Sequence, residues 1–283
     1  MGKVEGREAA INNGNMASSQ EVGGMMRARS ITCAVTLFAT VVAMVVSLQQ
    51  RQAVAQSGFL PCTDPRGCPN LIVTEPILNS GHQEKATFAP TDCAVVEGET
   101  KAGTRDLLIF PYQTPNLGPG ALFIGNPADH PDLFDFVTCH GHPHFKKYAD
   151  YRLWTPAGYD AWQRARAQNP DALAADVLAA HPELSSQLVV GTKRGFCLLD
   201  FIPAPNFHGG TRDPRRFLDC FHNQGIGVGW ADEYTSKLDG QWIDVTDVPP
   251  GDYVLEVEAN ASHVFIETNY RDNSTAVRQK VHH

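Results

Sequence analysis

Cys139-His140-Gly141-His142-Pro143-His144 is the stretch on which the reading of this chain turns. Side chains alternate faces along an extended segment, so His140, His142 and His144 are expected to point the same way. Three neutral imidazoles on one face make a transition-metal site, suited to copper, zinc, iron or nickel. In a straight strand the outer two Cα atoms would lie about 13 Å apart, at about 3.3 Å per residue. Both rings reach one ion only if the segment curves or bulges. Pro143, which cannot donate to a sheet ladder, fits a bent or edge position. The competing reading is a packed or solvated histidine cluster; three on one face favour the metal.

Outward from the triad the chain reads as mainly β. Leu71 to Val73, Leu107 to Phe110, Ala121 to Ile124, Gly195 to Asp200 and Tyr253 to Val257 are expected strands separated by turn residues. Pro249-Pro250-Gly251-Asp252 is a strong turn signal before the last of them. Residues 159–185 differ, being rich in Ala, Gln, Arg and Leu at near-helical spacing, and predict two short helices. The fold expected is a single β-sandwich-like domain over residues 57–283, with long disulfide-tied loops and that short helical insertion.

Residues 1–56 are set apart from it. Arg27 and Arg29 precede an uncharged apolar run from Ile31 to Leu48, and Ala53-Val54-Ala55 resembles a cleavage site. Together these describe a secretory signal, with a membrane anchor as the alternative if the run is retained. Either way the rest is expected to be secreted or extracytoplasmic. Beyond residue 55 the chain carries 18 Lys+Arg against 28 Asp+Glu and all 11 histidines. That acidic balance argues against nucleic acid as partner and mildly favours cationic ones, with simple solubility as the competing reading. Six cysteines follow the leader (Cys62, Cys68, Cys93, Cys139, Cys197 and Cys220), and an even number in an exported chain reads as disulfides before metal thiolates. Spacing alone leaves their connectivity open.

Further motifs follow the triad in order: Gly191-Thr192-Lys193-Arg194-Gly195-Phe196-Cys197-Leu198, Trp230-Ala231-Asp232-Glu233-Tyr234, Gln241-Trp242-Ile243-Asp244-Val245-Thr246-Asp247-Val248 and Glu267-Thr268-Asn269-Tyr270-Arg271-Asp272-Asn273. With them the chain, from about Asn70 onward, resembles the catalytic domain of the lysyl oxidase family. The resemblance implies a copper-dependent primary-amine oxidase with dioxygen as oxidant, acting on small amines or on lysine side chains of proteins. It implies copper on His140, His142 and His144, and a lysine tyrosylquinone cofactor made from Lys193 and Tyr234. Chemically the pair makes sense: a buried lysine has a lowered pKa, and its neutral amine can add to an oxidised phenol ring. A solvated Lys193 and a packed Tyr234 are the plain alternatives. Asp232, two residues before Tyr234, is the candidate proton acceptor, with a surface carboxylate as the other reading. Tyr148, Asp150 and Tyr151 are candidates to orient the metal ligands.

The resemblance also implies the bridges Cys93–Cys139 and Cys197–Cys220, leaving Cys62–Cys68 as a local loop bridge. Two further family bridges are missing as pairs, with Gly240 and Trp230 among the replacements. A thiolate ligand role for Cys139 competes with its pairing. Other departures are Phe136 and Val137 in place of a Trp-His pair, Asp150 in place of a histidine, and the helical insertion, which raises the question of substrate access. Glu267, Asn269, Asp272 and Asn273 supply four oxygen donors in a short turn, a hard-cation preference. The family's matching calcium site adds Asn70 and the backbone of Leu71, and an Asx-rich turn is the alternative. Sequons at Asn260 and Asn273 are treated as chance. Two rivals to the oxidase remain: a non-catalytic copper-binding envelope protein, which needs neither Lys193 nor Tyr234, and a zinc hydrolase using three histidines and a water.

Overall fold

A computed structural model of the protein describes residues 60–137, 139–193, 195–208 and 210–283. The expected leader, residues 1–56, lies outside the described residues. Among the described residues no helix is long and apolar enough to cross a membrane.

The elements run in order α1 (Glu75–Leu78), β1 (His82–Phe88), α2 (Cys93–Val96), β2 (Gly103–Ile109), β3 (Tyr112–Pro115), β4 (Leu122–Gly125), β5 (Phe134–Val137), β6 (His142–Phe145) and β7 (Ala149–Trp154). Two helices, α3 (Pro156–Gln168) and α4 (Ala174–Ala180), then precede β8 (Leu188–Val190), β9 (Ile202–Pro203), β10 (Gln224–Ile226), β11 (Trp230–Tyr234), β12 (Trp242–Asp244), β13 (Gly251–Ala259) and β14 (Ser274–Val281). The domain is mainly β, as its alternating apolar runs require. Its strands form small sheets, ordered β1-β2-β12, β10-β4, β3-β11-β9, β14-β13-β7-β8 and β5-β6. One apolar core, including Leu71, Phe110, Tyr112, Phe145, Tyr148, Phe196, Leu255 and Phe265, is shared among them.

Two expected strands are not strands. The run from Leu71 to Val73 makes only an isolated bridge, Leu71 to Asn116, because the Leu71 N–H goes to the Glu267 carboxylate at 2.6 Å. Gly195 to Asp200 is a loop that makes one isolated bridge, Phe145 to Phe196, and takes further bonds from Gly225 and Tyr234. Asp200 ends it by accepting from the amides of Arg216, Phe217 and Gly227. Such fully bonded loops pack as deeply as strands, which is why both runs read apolar.

The insertion is helical as its spacing predicts. Thr155 caps α3 by accepting from the Gly158 amide, with Pro156 at the first helical position. Its apolar residues Trp162, Ala165, Ala174, Val177 and Leu184 build a separate cluster with Trp154 and Ala261.

Three disulfides tie the loops: Cys62–Cys68, Cys93–Cys139 and Cys197–Cys220. Cys139 is therefore not a thiolate ligand. Asn260 and Asn273 are buried with their side-chain amides bonded to Phe265, Ala259 and Glu267, so neither sequon is accessible.

Candidate metal centre and its pocket

The triad bends at Gly141, not at Pro143. Gly141 has φ +69°, a left-handed conformation that favours glycine, and it folds His140 back over β6. His142 and His144 share one face of that strand, as alternation demands. The three rings converge, with centroids 6.0 Å (His140–His142), 5.1 Å (His140–His144) and 4.7 Å (His142–His144) apart. Pro143 does occupy a strand of a two-stranded sheet, opposite Phe136 of β5.

Each ring has one nitrogen committed or enclosed. His142 Nδ1 faces the His140 carbonyl at 3.0 Å, and His142 Nε2 lies 3.1 Å from His144 Nε2. The backbone of Gly195 packs on His144 so closely that a Cβ there would stand 2.0 Å from its Nδ1. That Nδ1 is buried without a hydrogen-bond partner. Burial first, and then the neighbouring His142 and His140, push the His144 pKa down to about 4, so this imidazole stays neutral with a lone pair to give.

Lys193 and Tyr234 reach the same cavity from different elements. The loop carrying Lys193 is pinned by Gly191 N–H donating to the Tyr151 carbonyl at 2.8 Å and by the Thr192 hydroxyl donating to the Glu99 carbonyl. Lys193 Nζ donates to the Asp239 carbonyl at 2.6 Å and lies 5.6 Å from the Phe196 ring centre. Burial lowers its pKa, against the opposing pull of Glu99, Asp239 and Glu97. Asp232 and Tyr234, two apart on β11, project to one side of that strand. The Tyr234 ring stacks on Tyr112 at 5.0 Å and 12°, and meets Phe196 edge-on at 5.5 Å. Its hydroxyl donates to the Cys197 carbonyl at 3.2 Å. Burial first, then the nearby Asp232, hold its pKa well above the usual phenol value. Asp232 is buried too, and burial raises its carboxyl to about 8; its Oδ2 has no hydrogen-bond partner.

One cavity of about 250 Å³ is lined by His140, His142, His144, Lys193, Asp232 and Tyr234, with apolar walls that include Phe196, Leu199, Phe201 and Leu238. Nothing from α3 or α4 lines it, so the insertion does not reshape the cavity as the sequence suggested. Asp150 is also elsewhere, paired with Arg152 at 3.2 Å. Tyr148 and Tyr151 pack on Phe196 and so serve the phenol side rather than the imidazoles.

A family model described as lysyl oxidase matches residues 174–282, a span that holds Lys193 and Tyr234 but not the triad. Human lysyl oxidase homolog 1 is 27% identical over 250 residues, 83% of this chain and 37% of that protein. Protein-lysine 6-oxidase is 28% identical in human over 77% of this chain and 47% of that protein, and 28% identical in pig over 77% and 79%. The chain is similar to lysyl oxidases over most of its length. It spans under half the length of the human lysyl oxidase relatives it matches.

The Glu267–Asn273 turn lies apart from the cavity. The Glu267 carboxylate accepts from Leu71 N–H, Asn260 Nδ2 and Asn273 Nδ2, and burial raises its pKa to about 7. Asn70 Nδ2 donates to Asp272 Oδ2 at 3.0 Å. Asp272 Oδ1 and Asn273 Oδ1 are buried without hydrogen-bond partners. Asn269 instead closes a local turn by accepting from the Arg271 amide.

Sequence reasoning missed Glu97, Asp239 and Tyr112. Glu97 Oε1 stands 3.2 Å from His140 Nδ1, and Asp239 Oδ2 3.4 Å from His140 Nε2. A signal for Glu97 existed: it follows Cys93, whose bridge partner directly precedes His140.

Proposed function

We propose that this chain is a copper- and quinone-dependent primary-amine oxidase that yields aldehyde, ammonia and hydrogen peroxide. The observation that carries this reading is the single cavity lined by three imidazoles, Lys193, Tyr234 and Asp232. The donor set fits the metal. His142 Nε2 and His144 Nε2 stand 3.1 Å apart, the separation expected of two nitrogens about 2.0–2.1 Å from one ion, and imidazole suits copper. Copper, when bound, supplies the dioxygen chemistry that converts Tyr234 to a quinone, and the quinone serves as electron sink for the amine.

The remaining roles belong to the chain's own side chains. Lys193, its charge disfavoured by burial, supplies the neutral amine that joins the Tyr234 ring. To do so its Nζ leaves the Asp239 carbonyl and passes Phe196, which both partners touch. Tyr112 keeps the ring flat against β3 by stacking. Asp232 is the proton acceptor for the substrate's α-carbon, because a base poised near the working pH transfers protons best. Phe196 and Leu199 form the inner apolar wall of the cavity, with Phe201 and Leu238 at its exposed rim.

The substrate is a primary amine, small or on a protein's lysine; the insertion, absent from the cavity wall, shuts out neither. Three disulfides support an extracytoplasmic setting. The unpartnered oxygens of Asp272 and Asn273 support calcium at the second turn.

The test is mass spectrometry of copper-loaded protein with quinone staining. A covalently joined peptide pair around Lys193 and Tyr234 is expected, and Lys193→Arg or Tyr234→Phe should remove both stain and peroxide release while copper stays bound. Copper-loaded protein with both residues unmodified and no stain would leave only a copper binder.

A further inference from the structure

We infer that Glu97 is a fourth protein ligand of the metal, and that Asp239 fixes the orientation of the histidine beside it. The inference rests on the reading that His140, His142 and His144 hold a metal.

Glu97 directly follows α2, and its amide donates to the Cys93 carbonyl at 2.9 Å. The Cys93–Cys139 bridge, with Cα atoms 5.6 Å apart, staples that turn to the residue before His140. The Glu97 side chain is only 6% exposed. Its Oε1 lies 3.2 Å from His140 Nδ1, yet Oε1 has no hydrogen-bond partner. A buried carboxylate oxygen without a donor is expensive, and an ion is one of the few things that explains it.

The other nitrogen of His140 is already engaged, since Nε2 meets Asp239 Oδ2 at 3.4 Å. Metal-bound histidines commonly give their second nitrogen to a carboxylate, and here that carboxylate is Asp239. Nδ1 is thereby left for the metal, on the side where Glu97 stands. One donor atom each from Glu97, His140 and His144 lie within 4.8 Å of one another. Each of the two donor pairs, 3.1 Å between His142 and His144 and 3.2 Å between Glu97 and His140, has the separation of two ligands about 2.0–2.2 Å from an ion. His142 stands outside that group and joins it through His144, so the inferred set of three imidazoles and one carboxylate has the His142 ring turning in when the metal binds. An anionic oxygen favours the divalent ion over monovalent copper, which prefers softer donors. Glu97 would thus hold the site's potential down.

The experiment uses the full chain, stripped of metal and reloaded separately with Cu(II) and Cu(I). Affinities are read by chelator competition, the Cu(II) environment by electron paramagnetic resonance, and the copper potential by titration. Glu97→Ala and the size-matched Glu97→Gln should weaken Cu(II) binding at least about 10-fold, the lower end of the loss seen for outer partners of a metal site. Cu(I) binding should change much less, the potential should rise, and the Cu(II) hyperfine pattern should shift. Glu97→Asp should restore part of the affinity. Unchanged Cu(II) affinity, spectrum and potential in Glu97→Gln, with copper lost in His142→Ala, would overturn the Glu97 assignment alone. Equal losses for Cu(I) and Cu(II) would also overturn it, marking a structural role. Full copper affinity in His142→Ala would take down the metal site itself.

Discussion

Two buried polar clusters in this domain are built on opposite logics. On the β7–β13 face, Arg152 is buried between Glu256 and Glu258, donating to both, and reaches Asp150 at its rim. The indoles of Trp154 and Trp162 donate to Glu256, and Arg166 of α3 donates to Glu258. Each of these charges is closed on a partner. At the cavity and beside it, by contrast, Glu97 Oε1, His144 Nδ1 and Asp232 Oδ2 are buried without a hydrogen-bond partner. Buried polar atoms are normally satisfied, so the closed cluster reads as scaffold and the open one as a place where something else binds or reacts. The insertion belongs with the first: its helices cover the Arg152 cluster and supply Trp162 and Arg166 to it.

The sharpest way to break this contrast is to compare function with stability. Lys193→Arg should abolish turnover, below about one-thousandth of the original rate, while barely moving the urea midpoint, since it disturbs only the Asp239 carbonyl and Phe196 contacts of one side chain. Glu256→Gln should do the reverse. It leaves Arg152 short of a countercharge and should lower stability by about 3–5 kcal/mol, measured by urea unfolding, with activity per folded molecule retained. If the two variants traded effects, the assignment of scaffold and site would be inverted.

Asp232 offers a subtler test, because it links the open cluster to pH. Its carboxyl is raised to about 8 from an ordinary value of 3.8. Between those values the folded protein holds a proton that the unfolded chain has released. Stability from this group therefore falls as pH rises from about 4 to about 8 and levels off above. Asp232→Asn should flatten that slope, melting higher than the parent at pH 8 and nearly equal to it at pH 4. Turnover should climb with pH toward a plateau above about 8 in the parent, and the variant should lack that limb. A parent whose melting temperature is flat across this range would show that Asp232 is not buried as a neutral acid.

How much of this was legible beforehand follows from the range of the interactions. The shared face of His142 and His144 is a property of alternation, so the sequence alone announces it. The bend is not, because proline draws the eye while the turn uses the left-handed freedom of Gly141. Lys193, Asp232 and Tyr234 came through resemblance, and nothing local marks them. Glu97 and Asp239 lie far from His140 along the chain and meet it only through tertiary packing. The Gln241–Val248 block, prominent as a motif, turns out to be framework. Gln241 ties the Phe110 carbonyl to the Tyr151 hydroxyl, and Asp244 pairs with Arg105 at 2.7 Å. A strong motif marks what must not move, whether or not it reacts.

The second turn tests whether unpartnered oxygens point to ligands outside the cavity as well. Asp272 Oδ1 and Asn273 Oδ1 are buried without partners, while Asn70 is neutral and already donates to Asp272. With so little formal charge the site should bind calcium weakly. At a calcium concentration about 100-fold over the dissociation constant, stabilisation would be about 2.7 kcal/mol, a rise of several degrees for a domain of this size. Asp272→Ala should remove that response in a melting titration while leaving copper binding alone, since the turn shares no residue with the cavity. A melting temperature indifferent to calcium would make this an Asx-rich turn, its two oxygens an exception to the rule that the histidine cavity obeys.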